Sequence, residues 1–105
     1  MDEISVKQLR KMQETGKDFQ LIDVRESWEL DVCSIDADHI PMAEIIVRKG
    51  ELRSDVPVIV LCKTGNRSCN VVSALRLQLG LTNLHNLTGG ILAWAEEIDT
   101  SLEKY

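Results

Sequence analysis

Aromatic residues are scarce in this chain: one Phe, one Tyr and two Trp among 105 residues. That scarcity excludes an aromatic core, so packing has to rest on Val, Ile and Leu. Proline occurs only twice, and no apolar run approaches the length needed to span a bilayer. Three cysteines, an odd number, do not make a disulfide framework, and a reducing cytoplasm is the simplest setting for them. The acidic start Met1-Asp2-Glu3 lacks the basic and apolar regions of a signal peptide. A net charge of −5 argues against nucleic acid as a partner, because phosphate binding needs a cationic face. Neither nucleic acid nor membrane is expected.

What is present is an ordinary globular composition, 44% apolar and 28% charged. The length suits one domain over residues 1–105 with one core. Ser5 followed by Gln8 is a capping-box pattern with Ile4 and Leu9 placed as its hydrophobic staple, so a helix is predicted over 6–15, stopped by Gly16. Residues 19–24 read as a strand, 27–30 as a short helix, 39–42 as a brief strand ended by Pro41, and 43–49 as a helix with Ile45 and Ile46 inward. Val58-Ile59-Val60-Leu61 is the clearest strand: continuously aliphatic and half β-branched, it fits a central position covered on both faces. A helix over 68–79 carries Val71, Val72, Leu75 and Leu79 on one side, with Gly80 as its stop. A strand over 84–87, a Thr88-Gly89-Gly90 turn and a helix over 91–98 complete the chain. Strands alternating with helices imply an α/β fold with a mostly parallel sheet, whose functional groups gather at the carboxyl ends of the strands.

Cys62 lies at such an end, followed by Lys63-Thr64-Gly65-Asn66-Arg67-Ser68 and then a helix. Backbone N–H groups and a helix N-terminus converging there favour thiolate over thiol, and Lys63 and Arg67 add positive charge. The pattern points to a reactive cysteine that handles anionic or soft sulfur substrates, with a pKa below the ordinary thiol value of roughly 8.5.

Four segments in order resemble the rhodanese (sulfurtransferase) family, specifically its small single-domain members. They are Asp23-Val24-Arg25-Glu26-Ser27-Trp28-Glu29, His39-Ile40-Pro41, Cys62 to Ser68, and Asn86-Leu87-Thr88-Gly89-Gly90-Ile91-Leu92-Ala93-Trp94. The resemblance implies a three-layer domain, a mostly parallel sheet with helices on both faces. It also implies ping-pong transfer of sulfane sulfur through a Cys62 persulfide. The donor would be a small anion such as thiosulfate, and the acceptor cyanide, a small thiol or a protein. No cofactor is implied. The chain departs from the family pattern at Asp38 and Met42, where glycines are usual, so the turn around His39 is open to a different shape. Four residues separate Cys62 from Arg67. Phosphatases that resemble this fold place five there, and the shorter loop suits a sulfur atom better than a phosphate.

Within the loop, Cys62 is the expected nucleophile, and N–H groups from Lys63 to Ser68 the cradle for thiolate and persulfide. Gly65 would permit a backbone conformation that other residues resist. Lys63 and Arg67 would orient a donor dianion, Arg67 holding two oxygens at once. Ser68 would cap the helix and donate to sulfur. Asp23 and Arg25 read as a structural pair behind the loop. Cys69 is expected to be an inert core residue and Cys33 incidental. His39 and His85 read as hydrogen-bonded structural residues, and Trp28 and Trp94 as packing over helix ends. Arg48, Lys49 and Arg53 read as a solvated helix face. Cys33, Cys62, Cys69, His39 and His85 lack the paired spacings of a metal site. The competing readings are a non-enzymatic protein-interaction module that keeps the fold for docking, a sulfur-relay module that passes sulfur to another protein, and, ranked below these, an arsenate reductase or phosphatase.

Overall fold

A computed structural model describes residues 3–105. The Ser5 hydroxyl accepts from Gln8 N–H, and the Gln8 side chain accepts from Ser5 N–H, so the capping box starts α1 (Val6–Glu14) as predicted. The remaining elements are β1 (Glu3–Ile4), β2 (Gln20–Asp23), α2 (Ser27–Val32), β3 (Asp38–His39), β4 (Val58–Leu61), α3 (Asn66–Leu79), β5 (Leu84–Leu87) and α4 (Gly90–Glu97). The five strands form a parallel sheet in the order β1-β5-β4-β2-β3. β4 is at its centre, as its unbroken aliphatic run requires.

Side chains alternate across β4 and sort the core into two halves. Val58, Val60 and Cys62 point to one side, packing with Ile22, Val24 and the α3 residues Val71, Val72 and Leu75. Ile59 and Leu61 point to the other, packing with Val6 and Leu9 of α1 and Ile91 and Trp94 of α4. Each fully buried aliphatic side chain contributes roughly 1.5–3 kcal/mol. The phase matters for the site: Cys62 continues the Val58–Val60 series, so its sulfur is aimed at the start of α3.

The structure corrects three expectations. β1 was not predicted, because two residues carry no periodicity; it exists through its pairing with Asn86 and Leu87 of β5. Residues 43–49 do not form an α-helix. They make a 3-10 turn at Met42–Glu44 and further turns up to a second one at Lys49–Glu51. The β-branched run Ile45-Ile46-Val47 disfavours a helix, and burying Ile45 in the core leaves Val47 87% exposed. The basic residues nearby are not a helix face either. Arg48 pairs with Glu44 and Glu51, and Arg53 with Asp18 and Asp55. At Asp38 and Met42 the missing glycines are accommodated without strain, since no described non-glycine residue has positive φ.

The Gly89-Gly90 turn joins β5 to α4 and packs against the residues following β4. N–H groups of Ile91 and Leu92, free at the first turn of α4, donate to Cys62 O at 2.9 Å and Lys63 O at 3.1 Å. Gly90 has φ +58°, and a Cβ there would stand 2.5 Å from Lys63 O and collide with Cys62 O as well. Gly90→Ala is therefore expected to destabilise the fold by about 3 kcal/mol or more. Urea unfolding of the variant checks this, with Gly16→Ala, where nothing lies within 4 Å, as the comparison for positive φ alone.

Candidate active site

The carbonyls of Cys62 and Lys63 turn outward to α4, and amides further along the loop meet the sulfur. Gly65 N–H donates to Cys62 Sγ at 3.1 Å and Ser68 N–H at 3.4 Å, and the Ser68 hydroxyl lies 3.4 Å away. Gly65 takes φ +103° and is itself the N-cap of α3. Ser68 is therefore not the cap; it lies in the first turn, with its hydroxyl also on Asn86 Oδ1. Cys62 has no exposed surface. Its cover is polar on the loop side, not a seal of aliphatic carbons. Burial, the largest influence, pushes the thiol up; the Ser68 hydroxyl and the N–H groups of Ser68, Gly65 and Thr64 outweigh it and leave the thiol below its ordinary value.

Arg67 is placed differently from the expectation that it would grip a donor with two nitrogens. Its fork closes on Glu29, at 2.6 Å from Oε1 and 2.8 Å from Oε2. Glu29 belongs to α2 and is almost fully buried. It also accepts from Glu26 N–H at 3.0 Å and from the Tyr105 hydroxyl at 2.6 Å. The Arg67 guanidinium holds the Glu29 carboxyl down at about 2, against the desolvation that would raise it, with help from Tyr105 and the Glu26 N–H. Lys63 remains as the cation with its ammonium over a ring, 4.4 Å from the Tyr105 centroid.

Arg25 is fully buried and holds the rear of the site. It pairs with Asp23 at 2.8 Å and donates to Glu29 O at 3.3 Å, Cys33 O at 3.0 Å and the Tyr105 hydroxyl at 3.0 Å. Asp23 and Arg25 form a buried ion pair at the end of β2. The Arg25 carbonyl lies 2.6 Å from His39 Nε2, so that ring nitrogen carries a hydrogen and His39 ties β3 to the same cluster. Among the described residues no buried side-chain nitrogen or oxygen lacks a partner.

Two cysteines and one tryptophan sit where the sequence did not place them. Cys33 is buried against α1 and α4, a core residue. Cys69 is half-exposed on the first turn of α3 and lines a small cleft of about 240 Å³ with Thr64, Gly65 and Asn66. Trp94 is buried as expected, but Trp28 is 61% exposed and sets its edge against the Tyr105 ring at 6.0 Å. A larger cavity, about 670 Å³, opens near Phe19, Lys17 and Arg53 and has no residue of the Cys62 loop in its lining. Among the described residues no group of three or more His, Cys, Asp or Glu is placed to hold a metal ion. Among the described residues no helix is long and apolar enough to cross a membrane.

The family model for the rhodanese-like domain matches residues 5–97. The chain belongs to the rhodanese-like domain family. Among curated proteins, the probable adenylyltransferase/sulfurtransferase MoeZ of Mycobacterium tuberculosis is 34% identical over 97% of this chain and 26% of its own length. The adenylyltransferase and sulfurtransferase MOCS3 of Mus musculus is 31% identical over 99% of this chain and 28% of its own. This rhodanese-like chain therefore spans about a quarter of the length of those relatives. The crystal structure of a rhodanese-related protein from Thermoplasma volcanium superposes with a TM-score of 0.81 at 34% identity, covering 93% of this chain and 94% of that one.

Glu29, Asn86, Gly90 and Tyr105 all act on the Cys62 loop and were not assigned to it from the sequence. Glycine before a helix was the one local signal available, for Gly90. Because the Glu29 pKa is depressed in the fold, its contribution to stability is complete above its unfolded value near 4.5 and is lost as pH falls toward about 2. Glu29→Gln is expected to remove about 2 kcal/mol from the pH dependence of stability between pH 6 and pH 3. Chemical unfolding at pH 6, 4 and 3 measures it; parallel curves for wild type and variant would refute the assignment.

Proposed function

We propose that this rhodanese-like domain transfers sulfane sulfur through a persulfide on Cys62. The observation that carries the reading is the convergence of Gly65 N–H, Ser68 N–H and the Ser68 hydroxyl on one sulfur at the end of the central strand. Those donors favour a thiolate, and once the loop accommodates a second sulfur they would hold a persulfide anion in the same way. In the first half-reaction the Cys62 thiolate attacks the outer sulfur of a donor such as thiosulfate. The S–S bond of the donor breaks, sulfite departs with the bonding pair, and a Cys62 persulfide forms. In the second, an acceptor thiolate, cyanide or a protein group takes the outer sulfur and returns Cys62 as thiolate. Two easy displacements replace one difficult transfer.

The surrounding residues divide the remaining work. Lys63 and the outward edge of the Arg67 guanidinium draw an anionic donor to the loop, while Glu29 holds the inner edge of Arg67 in place. Because Cys62 is fully covered, a donor reaches the sulfur only when a neighbouring side chain moves aside. Asp23 and Arg25 keep α2 and β2 in register behind the loop. A working thiol of this kind fits a reducing compartment such as the cytoplasm. Likeness to MoeZ and MOCS3, both named for sulfurtransferase activity, supports the same chemistry.

Incubation with thiosulfate or polysulfide is expected to add one sulfur atom to the intact mass. Cyanide should remove it, and Cys62→Ala should never acquire it. A wild-type protein that stays unmodified with both donors would overturn the proposal, as would persistence of the adduct in Cys62→Ala.

A further inference from the structure

Ser68 has one hydroxyl hydrogen and two acceptors within reach of it. Its Oγ lies 3.4 Å from Cys62 Sγ and also contacts Asn86 Oδ1. A hydroxyl donates once and accepts through its lone pairs, so the hydrogen serves one neighbour at a time. Asn86 decides which. Its Nδ2 faces three oxygens, Gly65 O at 3.2 Å and the Glu3 carboxylate at 3.1 Å and 3.3 Å. Turning the amide over would set Oδ1 against all of them, so its orientation is dictated by the surroundings. Since Oδ1 carries no hydrogen, the one between Asn86 and Ser68 belongs to Ser68.

With that hydrogen on Asn86, the lone pairs of Ser68 Oγ face the sulfur. A chain of donors then runs from the Cys62 S–H to Ser68 Oγ, from Ser68 to Asn86 Oδ1, and from Asn86 Nδ2 to Gly65 O and Glu3. This polarity stabilises a thiol. An ionised sulfur needs the reverse, a hydrogen pointing at it. The N–H groups of Gly65 and Ser68 are fixed and serve both states, whereas the hydroxyl can rotate.

We propose that Asn86 is a positioning residue for Cys62. It holds the Ser68 hydroxyl hydrogen while the sulfur is protonated and releases it to the sulfur when the thiol proton has left to solvent or a persulfide anion has formed. Asn86 is 4% exposed, so its oxygen then loses a donor that water does not readily replace. Asn86 therefore restrains the acidity that the loop amides confer. Other charged and titratable groups surround the loop on the elements packed against it. They are Lys63 and Arg67 beyond the loop, Glu29 of α2 paired to Arg67, Asp23 and Arg25 behind β2, Glu3 of β1 behind Asn86, and Tyr105. They act through charge and stay in place when Ser68 is replaced by Ala; Asn86→Leu also removes the bonds from Nδ2 to Glu3 and Gly65 O, a loss that the double variant shares and so cancels in the comparison. The role has its meaning in the proposed function, but its test needs no sulfur donor.

The test is the pH dependence of iodoacetamide alkylation at Cys62, resolved from Cys33 and Cys69 by peptide mass. It is measured in wild type, Ser68→Ala, Asn86→Leu and the double variant, each checked for a cooperative thermal transition. Ser68→Ala alone is expected to shift the midpoint by less than about half a pH unit, since the hydroxyl is engaged by Asn86. Asn86→Leu is expected to lower it by about one unit, a tenfold gain in thiol ionisation, and Ser68→Ala in that background to raise it again by about as much. A rise of a unit or more for Ser68→Ala in wild type overturns the proposal, and that arm stands even if Asn86→Leu does not fold. Equal Ser68→Ala shifts in both backgrounds, or an unchanged or raised midpoint in Asn86→Leu, overturn it too. Persulfide formation with thiosulfate, measured separately, reports on the proposed function independently of either result.

Discussion

The grip of the first turn of α4 on the carbonyls of Cys62 and Lys63 is the constraint on which the site depends. The Lys63 carbonyl shares its peptide plane with the Thr64 amide, so the bond from Leu92 that turns this carbonyl outward helps turn that amide toward the sulfur, while the bond from Ile91 fixes the Cys62 carbonyl beside it. Only a residue without a Cβ allows the approach, which is why Gly90 stands against both carbonyls. The helix that starts on the other side of the loop, α3, then supplies the Ser68 amide. Two helix starts thus act on one short loop, one on its carbonyls and one on its sulfur.

Around this backbone cradle lies a partly buried chain of charges, Asp23–Arg25 on one side and Glu29–Arg67 on the other, bridged by the Tyr105 hydroxyl. Burying such groups is costly unless each is paired and hydrogen-bonded. Here each has partners, and the geometry tolerates little change. The arrangement also explains how a loop with two cations avoids presenting both of them fully to solvent. Glu29 balances Arg67 in the resting protein, and Lys63 rests over an aromatic ring. The electrostatic preference for a thiolate therefore comes mostly from oriented amides, less from the net charge of the loop.

Much of the fold was legible because it is written in local period and punctuation. The β4 run, the α1 capping box and the glycines after α1 and α3 each carry their own signal within a few residues. The failures share a cause. β1 is too short for a period and exists through β5; residues 43–49 have helical spacing, yet the β-branched run and the burial of Ile45 prevail. Trp28 looked like a packing residue by type, while its place on α2 leaves it exposed beside Tyr105. Ser68 was assigned a capping role because the start of α3 was placed two residues late; the left-handed Gly65 begins the helix earlier and carries Ser68 one turn in.

Alone, the order of residues determined that a thiol would stand after a central strand, within reach of amides and a helix start. Chain neighbours and a two-residue alternation suffice for that. What holds and surrounds the loop was decided by tertiary structure. Glu29 reaches Arg67 across 38 positions, Tyr105 reaches Glu29 across 76, and Asn86 meets Ser68 across 18. Such contacts arise from the parallel order of the strands and the packing of α2, α3 and the final residue onto one end of the sheet. No local pattern encodes them, because each partner is an ordinary residue until the fold brings the other to it.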